Sequence, residues 1–237
     1  MKVSFSKHAE AALHWYGENG YFIEEDALPH DLCDRLVVAG RNLSQVQAGD
    51  YRPAMQPHRT DPVFLQAMKY PVIVQTVERL VGGPPCGLQT EFFYAQPGVR
   101  GFAGHQDNFF VEAEENSFAS VWIALTDVSA ENGGLYGYPG SHREGRLPVR
   151  RLHLGQVEGQ DPNANNEETV LPEKYERVDI AARKGSVVYL HAHFVHGSYA
   201  NRSGDFRYAL LCTYVRKGAS FRPGRYAQRE AVDLCAT

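Results

Sequence analysis

Only four cysteines occur in 237 residues, and none stands in a CxxC pair. That excludes a disulfide-dense secreted scaffold. Cys33, Cys86, Cys212 and Cys235 read as scattered thiols of a reducing compartment. No stretch approaches the roughly 18 apolar residues of a membrane span. The opening "MKVSFSKHAEAALHWYGENG" lacks an apolar core followed by a cleavage site, so no secretory leader is expected. Charge of one sign is also missing. A formal net charge of −4 offers no field for nucleic acid or an anionic membrane. No internal repeat and no linker break the chain. The expectation is a cytoplasmic protein without nucleic-acid or membrane partners.

What is plentiful points to strands and turns. Phe and Tyr together number 25, with 22 glycines and 13 prolines, against three methionines. Helical spacing is confined to the first third. Ala9, Leu13 and Tyr16 predict a helix ended by Gly17 and Gly20. "YFIEED" predicts a short strand. "LPHDLCDRLVVAGRNLSQV" predicts a second helix with Leu32, Leu36, Val37 and Leu43 on one face, and "YPVIVQTVERLVGG" a third, opened by Pro71. From residue 85 short strands alternate with Gly/Pro/Asn turns up to 216. A mainly β sandwich or barrel is expected, with residues 1–84 as a helical buttress, 85–216 as the core and 217–237 as a tail of one domain. The polar segment "EGQDPNANNEETVLPEK" (158–174) predicts a long loop over the barrel, of the kind that serves as a lid.

Three His-x-acid pairs occur. His8 and Glu10 fall in the first predicted helix, where i and i+2 point to different sides. His142 and Glu144 follow a "YPGS" turn. In "GHQDNFF" (104–110), His105 and Asp107 are expected on one face of an extended strand. Taken alone, that pair is as ordinary as a hydrogen-bonded polar turn. A third imidazole from a distant strand changes the reading, because two histidines and one carboxylate hold Fe(II) on one octahedral face and leave positions open. The run "GSVVYLHAHFVHGSYANRSGDFRYALL" offers His191, His193 and His196. Arg207 lies eleven residues beyond the last (207 − 196 = 11), enough for a turn and a return along the next strand. An arginine there suits the far carboxylate of a chelating cosubstrate such as 2-oxoglutarate.

Four segments in order carry a family resemblance: "WYGENGYFIEEDALPHDLCDRL", "GHQDNFF", "WIALTDVSAENGGLYGYPGSHR" and "GSVVYLHAHFVHGSYANRSGDFR". Together they resemble the phytanoyl-CoA dioxygenase family of Fe(II)/2-oxoglutarate-dependent oxygenases over nearly the whole chain. The resemblance implies a double-stranded β-helix, or jelly roll, with helices buttressing one sheet. It implies His105, Asp107 and His196 as iron ligands, and Arg207 with Ser198 as holders of the distal carboxylate of 2-oxoglutarate. Trp122 would line the cosubstrate pocket and Gln89 would face the same cavity. The implied reaction is hydroxylation of a small-molecule substrate by O₂, with succinate and CO₂ as co-products. Related halogenases lack the carboxylate ligand, so Asp107 favours hydroxylation over chlorination.

Two departures stand out. Many relatives carry a lysine before the HQD motif, where this chain reads "YAQPG" with Tyr94 and Gln96. The residues after the last core strand are few, so substrate contacts from longer C-terminal segments are expected to be missing. Two rival readings remain open. "GSVVYLHAH" opens like a cupin metal motif, which would need no 2-oxoglutarate and would leave Arg207 without a role. A non-catalytic iron or 2-oxoglutarate binder would keep the same residues without turnover.

Overall fold

The computed structural model describes residues 4–49, 52–152 and 167–235. Helices and short strands come first: α1 (Ala9–Asn19), β1 (Tyr21–Glu24), α2 (His30–Arg41), α3 (Ser44–Gln47), β2 (Ala54–Met55), α4 (Pro62–Met68) and α5 (Pro71–Leu80). The strand-rich part follows with β3 (Pro85–Ala95), α6 (Asn108–Val111), β4 (Phe118–Ala124), β5 (Leu135–Gly137), β6 (Val149–Arg151), β7 (Glu167–Thr169), β8 (Val178–Ile180), β9 (Val187–His191), β10 (His196–Ser198) and β11 (Arg207–Arg216). Six strands form one sheet in the order β1-β9-β4-β11-β3-β2; β10-β5-β8 form a second, and β6-β7 a ribbon.

β4 reads "FASVWIA" with no polar alternation, and every residue in it is buried. Both faces of the large sheet are therefore covered. On its outer face, Val121, Ile123, Tyr189, Leu210 and Tyr214 pack with Leu32 and Leu36 of α2, Phe64 of α4 and Val77 of α5. On its inner face, Trp122, Val188, Leu190 and Ala209 pack with Leu135 and Ile180 of the second sheet and with Phe194. This is the jelly roll, with the helices on one face of one sheet. Gly40 lets α2 lie flush on that sheet, since a Cβ there would sit 2.1 Å from the Phe92 ring.

Several elements differ from expectation. Gly17 lies inside α1, and only Gly20 ends it, at φ 81° with its N–H donating to the Tyr16 carbonyl at 2.7 Å. The buried stripe of α1 is Ala12 and Tyr16. The second predicted helix stops at Arg41, and residues 44–47 form the separate α3. α4 was not anticipated, although its start is marked. Asp61 Oδ1 accepts the Val63 N–H at 2.9 Å, and Pro62 fills the first helical position. Of the expected lid, residues 158–166 lie outside the described residues. Residues 167–169 are strand β7, and the Thr169 N–H donates to the Gly104 carbonyl at 2.7 Å, beside the HQD segment. Among the described residues no helix is long and apolar enough to cross a membrane.

A histidine cluster ties α1 to the barrel. His142 Nε2 donates to the Gly17 carbonyl at 3.0 Å, and the ring lies 4.8 Å from that of His191, which also meets Tyr16 at 6.0 Å. The His193 N–H donates to His191 Nδ1 at 3.1 Å. Burial holds His191 down to about 3, with neighbouring His142 and His193 adding to the effect, and lowers His142 and His193 as well. These groups fold neutral, whereas the unfolded chain takes up protons below about pH 6.5. Their stabilisation is complete above that pH and is lost as pH falls toward their folded values. Urea unfolding between pH 7.5 and 5 should show it. The slope of stability against pH should be shallower in His191→Asn, by up to about 1.4 kcal/mol per pH unit.

Candidate metal centre

His105 and His196 face each other across an isolated antiparallel bridge. The His105 N–H donates to the His196 carbonyl at 2.8 Å, and the His196 N–H returns the bond at 3.0 Å. A directly opposed pair puts both side chains on one face, and the ring centroids are 4.5 Å apart. Asp107 reaches the same point by a different route from the one its spacing suggests. Only His105 lies in extended pairing. At Asp107 the backbone is helical (φ −62°, ψ −35°), and the chain turns into α6. The carboxylate swings back so that Oδ1 lies 3.3 Å from His105 Nε2 and 3.7 Å from His196 Nε2. One donor atom from each residue falls within 4.8 Å of the others.

The tautomers favour a cation. His105 Nδ1 lies 2.8 Å from the Ala103 carbonyl and His196 Nδ1 lies 3.1 Å from the Phe194 carbonyl. A carbonyl only accepts, so both Nδ1 atoms carry hydrogen and both Nε2 lone pairs point at the shared space. Asp107 Oδ2 is buried with no hydrogen-bond partner among the described residues. Burial would raise the Asp107 carboxyl, but the two imidazoles outweigh it and hold the group well below the usual carboxylate range. Burial alone would lower His105. The Asp107 carboxylate overcomes it, so His105 is raised, while burial wins at His196, which is lowered. An anionic carboxylate with two aimed imidazole nitrogens is a fitting donor set for Fe(II). Neither His8/Glu10 nor His142/Glu144 joins such a group among the described residues; Glu144 instead pairs with Lys174 at 2.7 Å.

Between the two ligand candidates, Gln106 points the other way and is nearly fully buried. Its Nε2 donates to the carbonyls of His193 at 2.7 Å and Gly145 at 2.8 Å, and its Oε1 accepts the Leu147 N–H at 2.9 Å. Nothing in its spacing announced this role. Gln106→Leu leaves three backbone groups unpaired, at about 1 kcal/mol or more each. A loss of about 3 kcal/mol in urea unfolding is expected, with weaker metal retention on dialysis. Asn108 likewise binds backbone, accepting the Ala113 N–H at 2.8 Å, which removes it from the candidates for substrate contact.

The centre opens into a cavity of about 740 Å³. Strand pairing lays out the sheet face lining it row by row. Arg207 stands opposite Ala95, Leu211 stands between Glu91 and Trp122, and Thr213 stands between Gln89 and Ser120. Arg207 is buried, with its Cζ 5.7 Å from the Trp122 ring centroid. Its Nε has no partner, and among the described residues no carboxylate lies within ion-pair distance of it. Burial pulls it down to about 10, so it keeps its charge at neutral pH. Ser198 lies beside it in the cavity wall; its Oγ accepts the Phe102 N–H at 2.9 Å, leaving its own hydrogen to donate. Gly101 makes room there, because a Cβ on it would come 1.9 Å from the Ser198 carbonyl oxygen.

Gln89 sits at the other end of this face, away from Arg207. Its Nε2 donates to the Glu91 carboxylate. Glu91 is pushed up to about 7 by burial, with Asp107 adding to the rise and Arg229 opposing it. Neither Glu91 nor Arg229 was anticipated. Glu91 was within reach, since the period of two puts it on the face of Gln89 and Phe93. Arg229 was not, because it comes from the tail. Tyr226, Ala227 and Arg229 line the cavity, so even the short tail contributes to its wall. The tail is held by Gln56 Nε2 donating to the Ala227 carbonyl at 2.7 Å and by the bridge of Gly87 with Val232. His191 and His193 lie outside the cavity, in the α1 contact.

Fold and site together are a jelly roll with two histidines and one carboxylate placed to hold a metal ion. Residues 16–209 match the family model described as phytanoyl-CoA dioxygenase. The chain belongs to the phytanoyl-CoA dioxygenase family. Over 174 residues it is 30% identical to "Phytanoyl-CoA dioxygenase" of Arabidopsis thaliana, covering 73% of this chain and 59% of that protein. It is 29% identical to "Phytanoyl-CoA dioxygenase 1" of Oryza sativa subsp. japonica, over 89% of this chain and 70% of the rice protein. Among solved structures, the non-heme alpha ketoglutarate dependent carbocyclase SnoK from nogalamycin biosynthesis is similar at a TM-score of 0.75 and 24% identity, over 95% of this chain and 90% of that one. The epimerase SnoN in complex with Fe3+, alpha ketoglutarate and nogalamycin RO is similar at 0.73 and 22%, over 90% and 86%. These likenesses establish the fold.

Proposed function

We propose that His105, Asp107 and His196 hold Fe(II), and that Arg207 and Ser198 hold the distal carboxylate of 2-oxoglutarate beside Trp122. The protein then hydroxylates an unactivated C–H bond of a small metabolite or natural-product intermediate. The observation that carries this reading is the meeting, in one cavity, of three convergent metal donors with a buried guanidinium that has no carboxylate partner among the described residues. The Fe3+ and alpha ketoglutarate named in the SnoN complex support the cofactor assignment.

When bound, iron and 2-oxoglutarate supply the oxidising chemistry, with O₂ consumed and succinate and CO₂ released. The chain's own residues do the rest. His105 and His196 present neutral Nε2 atoms, locked by their carbonyl partners. Asp107 adds the negative charge and fills the position a halide would need, which favours hydroxylation, desaturation or ring closure over chlorination. Arg207 orients the cosubstrate from the far end with a planar two-donor fork. Phe93, Phe102, Phe110 and Leu135 give apolar walls that limit bulk water around the reacting bond. The test is direct. Purified protein with Fe(II), 2-oxoglutarate and O₂ should form succinate, and a chelator should stop it. No 2-oxoglutarate binding and no succinate would refute the reading, and chlorination by the wild type would refute the role given to Asp107.

A further inference from the structure

We infer that the end of the cavity opposite Arg207 receives hydrogen-bond donors of the substrate, hydroxyl or ammonium groups, through Gln89, Glu91 and Thr213. This rests on the oxygenase reading and gives it a substrate class. On β11, Thr213 lies six residues beyond Arg207 (213 − 207 = 6), which is about 20 Å of extended strand. The cosubstrate's anchor and this patch are therefore at opposite ends of one sheet face. The rows between carry Ala209, Phe93, Leu211 and Trp122, an apolar middle.

The patch is rich in acceptors, with one hydroxyl, that of Thr213, able to donate as well. In its ionised form Glu91 only accepts, so the bond from Gln89 Nε2 then orients the amide with its nitrogen toward Glu91 and its Oε1 free. That Oε1 is buried without a partner among the described residues, as is Thr213 Oγ1 in the adjacent strand. Glu91 lines the cavity, and among the described residues no cation lies within ion-pair distance of it. Beside it Arg229 donates from Nη1 to the carbonyls of Phe110 at 3.1 Å and Arg222 at 3.2 Å, and its buried Nε has no partner among the described residues. An unfunctionalised acyl chain laid across this patch would leave Gln89 Oε1 and Thr213 Oγ1 unpaired and the desolvated Glu91 with the Gln89 amide as its one donor among the described residues. A hydroxyl or ammonium group satisfies them, with its carbon skeleton on Leu211 and Phe110.

The experiment uses the full chain with Fe(II) and 2-oxoglutarate under oxygen-free conditions. Three cyclohexyl probes differ only in their polar end, cyclohexanol, cyclohexylammonium and methoxycyclohexane, and hexanoate supplies an unfunctionalised acyl chain. Ligand-observed NMR gives their dissociation constants, and calorimetry gives 2-oxoglutarate binding in the same samples. Cyclohexanol or cyclohexylammonium should bind at least roughly tenfold more tightly than methoxycyclohexane, a margin expected for satisfying buried acceptors. A preference for ammonium that falls to under about twofold in Glu91→Gln assigns amines. A preference for hydroxyl that survives Glu91→Gln but is lost in Gln89→Leu/Thr213→Val assigns alcohols. Equal or tighter binding of methoxycyclohexane or hexanoate by the wild type overturns the inference without any variant having to fold. Absent 2-oxoglutarate binding sinks the oxygenase reading instead. Intact cosubstrate binding with no donor preference sinks only the substrate class.

Discussion

Asp107→Ala should lower the rate of succinate formation roughly 1,000-fold or more, a loss of about 4 kcal/mol of transition-state stabilisation. Two effects act together. The donor set loses its only anionic member, leaving two neutral imidazoles to hold a dication, so iron is lost on dialysis. His105 also loses the carboxylate that raises its pKa, and with it the partner 3.3 Å from Nε2. Asp107→Asn separates charge from shape, and it should be nearly as inactive because the missing element is the negative charge. Iron content after equilibrium dialysis and succinate yield report the two effects separately. Activity of Asp107→Ala within tenfold of wild type would remove Asp107 from the proposed ligand set.

Arg207→Met should raise the KM for 2-oxoglutarate by roughly two to nearly four orders of magnitude. Removing one partner of a buried, two-bonded charge pair costs about 3–5 kcal/mol. The same substitution should make the ligand-free protein more stable, because a desolvated cation with an unpartnered Nε is replaced by a thioether of similar reach. Thermal unfolding without and with 2-oxoglutarate gives both signs at once. The wild-type Tm should rise on adding cosubstrate with Fe(II), as binding to the folded state requires. The Arg207→Met Tm should start higher and stay put. A variant that is destabilised when empty and still responds to 2-oxoglutarate would contradict the proposed anchor.

The three donor residues could be seen in the sequence because short, ordered motifs carry them: His105 and Asp107 in seven residues, and His196 a fixed distance before Arg207. The jelly roll could be seen because short turn-bounded strands have few other ways to bury both faces. The local geometry at Asp107 was less accessible. An i, i+2 pair shares a face on a strand, yet here the second member opens a helical turn and arrives by rotation of the backbone. Glu91 stands in no motif of its own, although its spacing from Gln89 puts both on one face of the strand. Arg229 had no local signal at all. Its position depends on bonds from Gln56 to Ala227 and from Gly87 to Val232, contacts that no window of neighbouring residues contains. The same holds for Gln106, whose three partners come from two distant loops.

The bridge between His105 and His196 has a consequence for when metal enters. It joins chain segments 91 positions apart (196 − 105 = 91), and both imidazoles face one point only once it has closed. A nascent or partly unfolded chain presents one imidazole and one carboxylate there, a pair that holds a divalent ion weakly. On the ligand set proposed above, iron loading then follows folding. Redox-active metal stays off exposed, oxidisable chain and is confined to molecules whose walls are already in place.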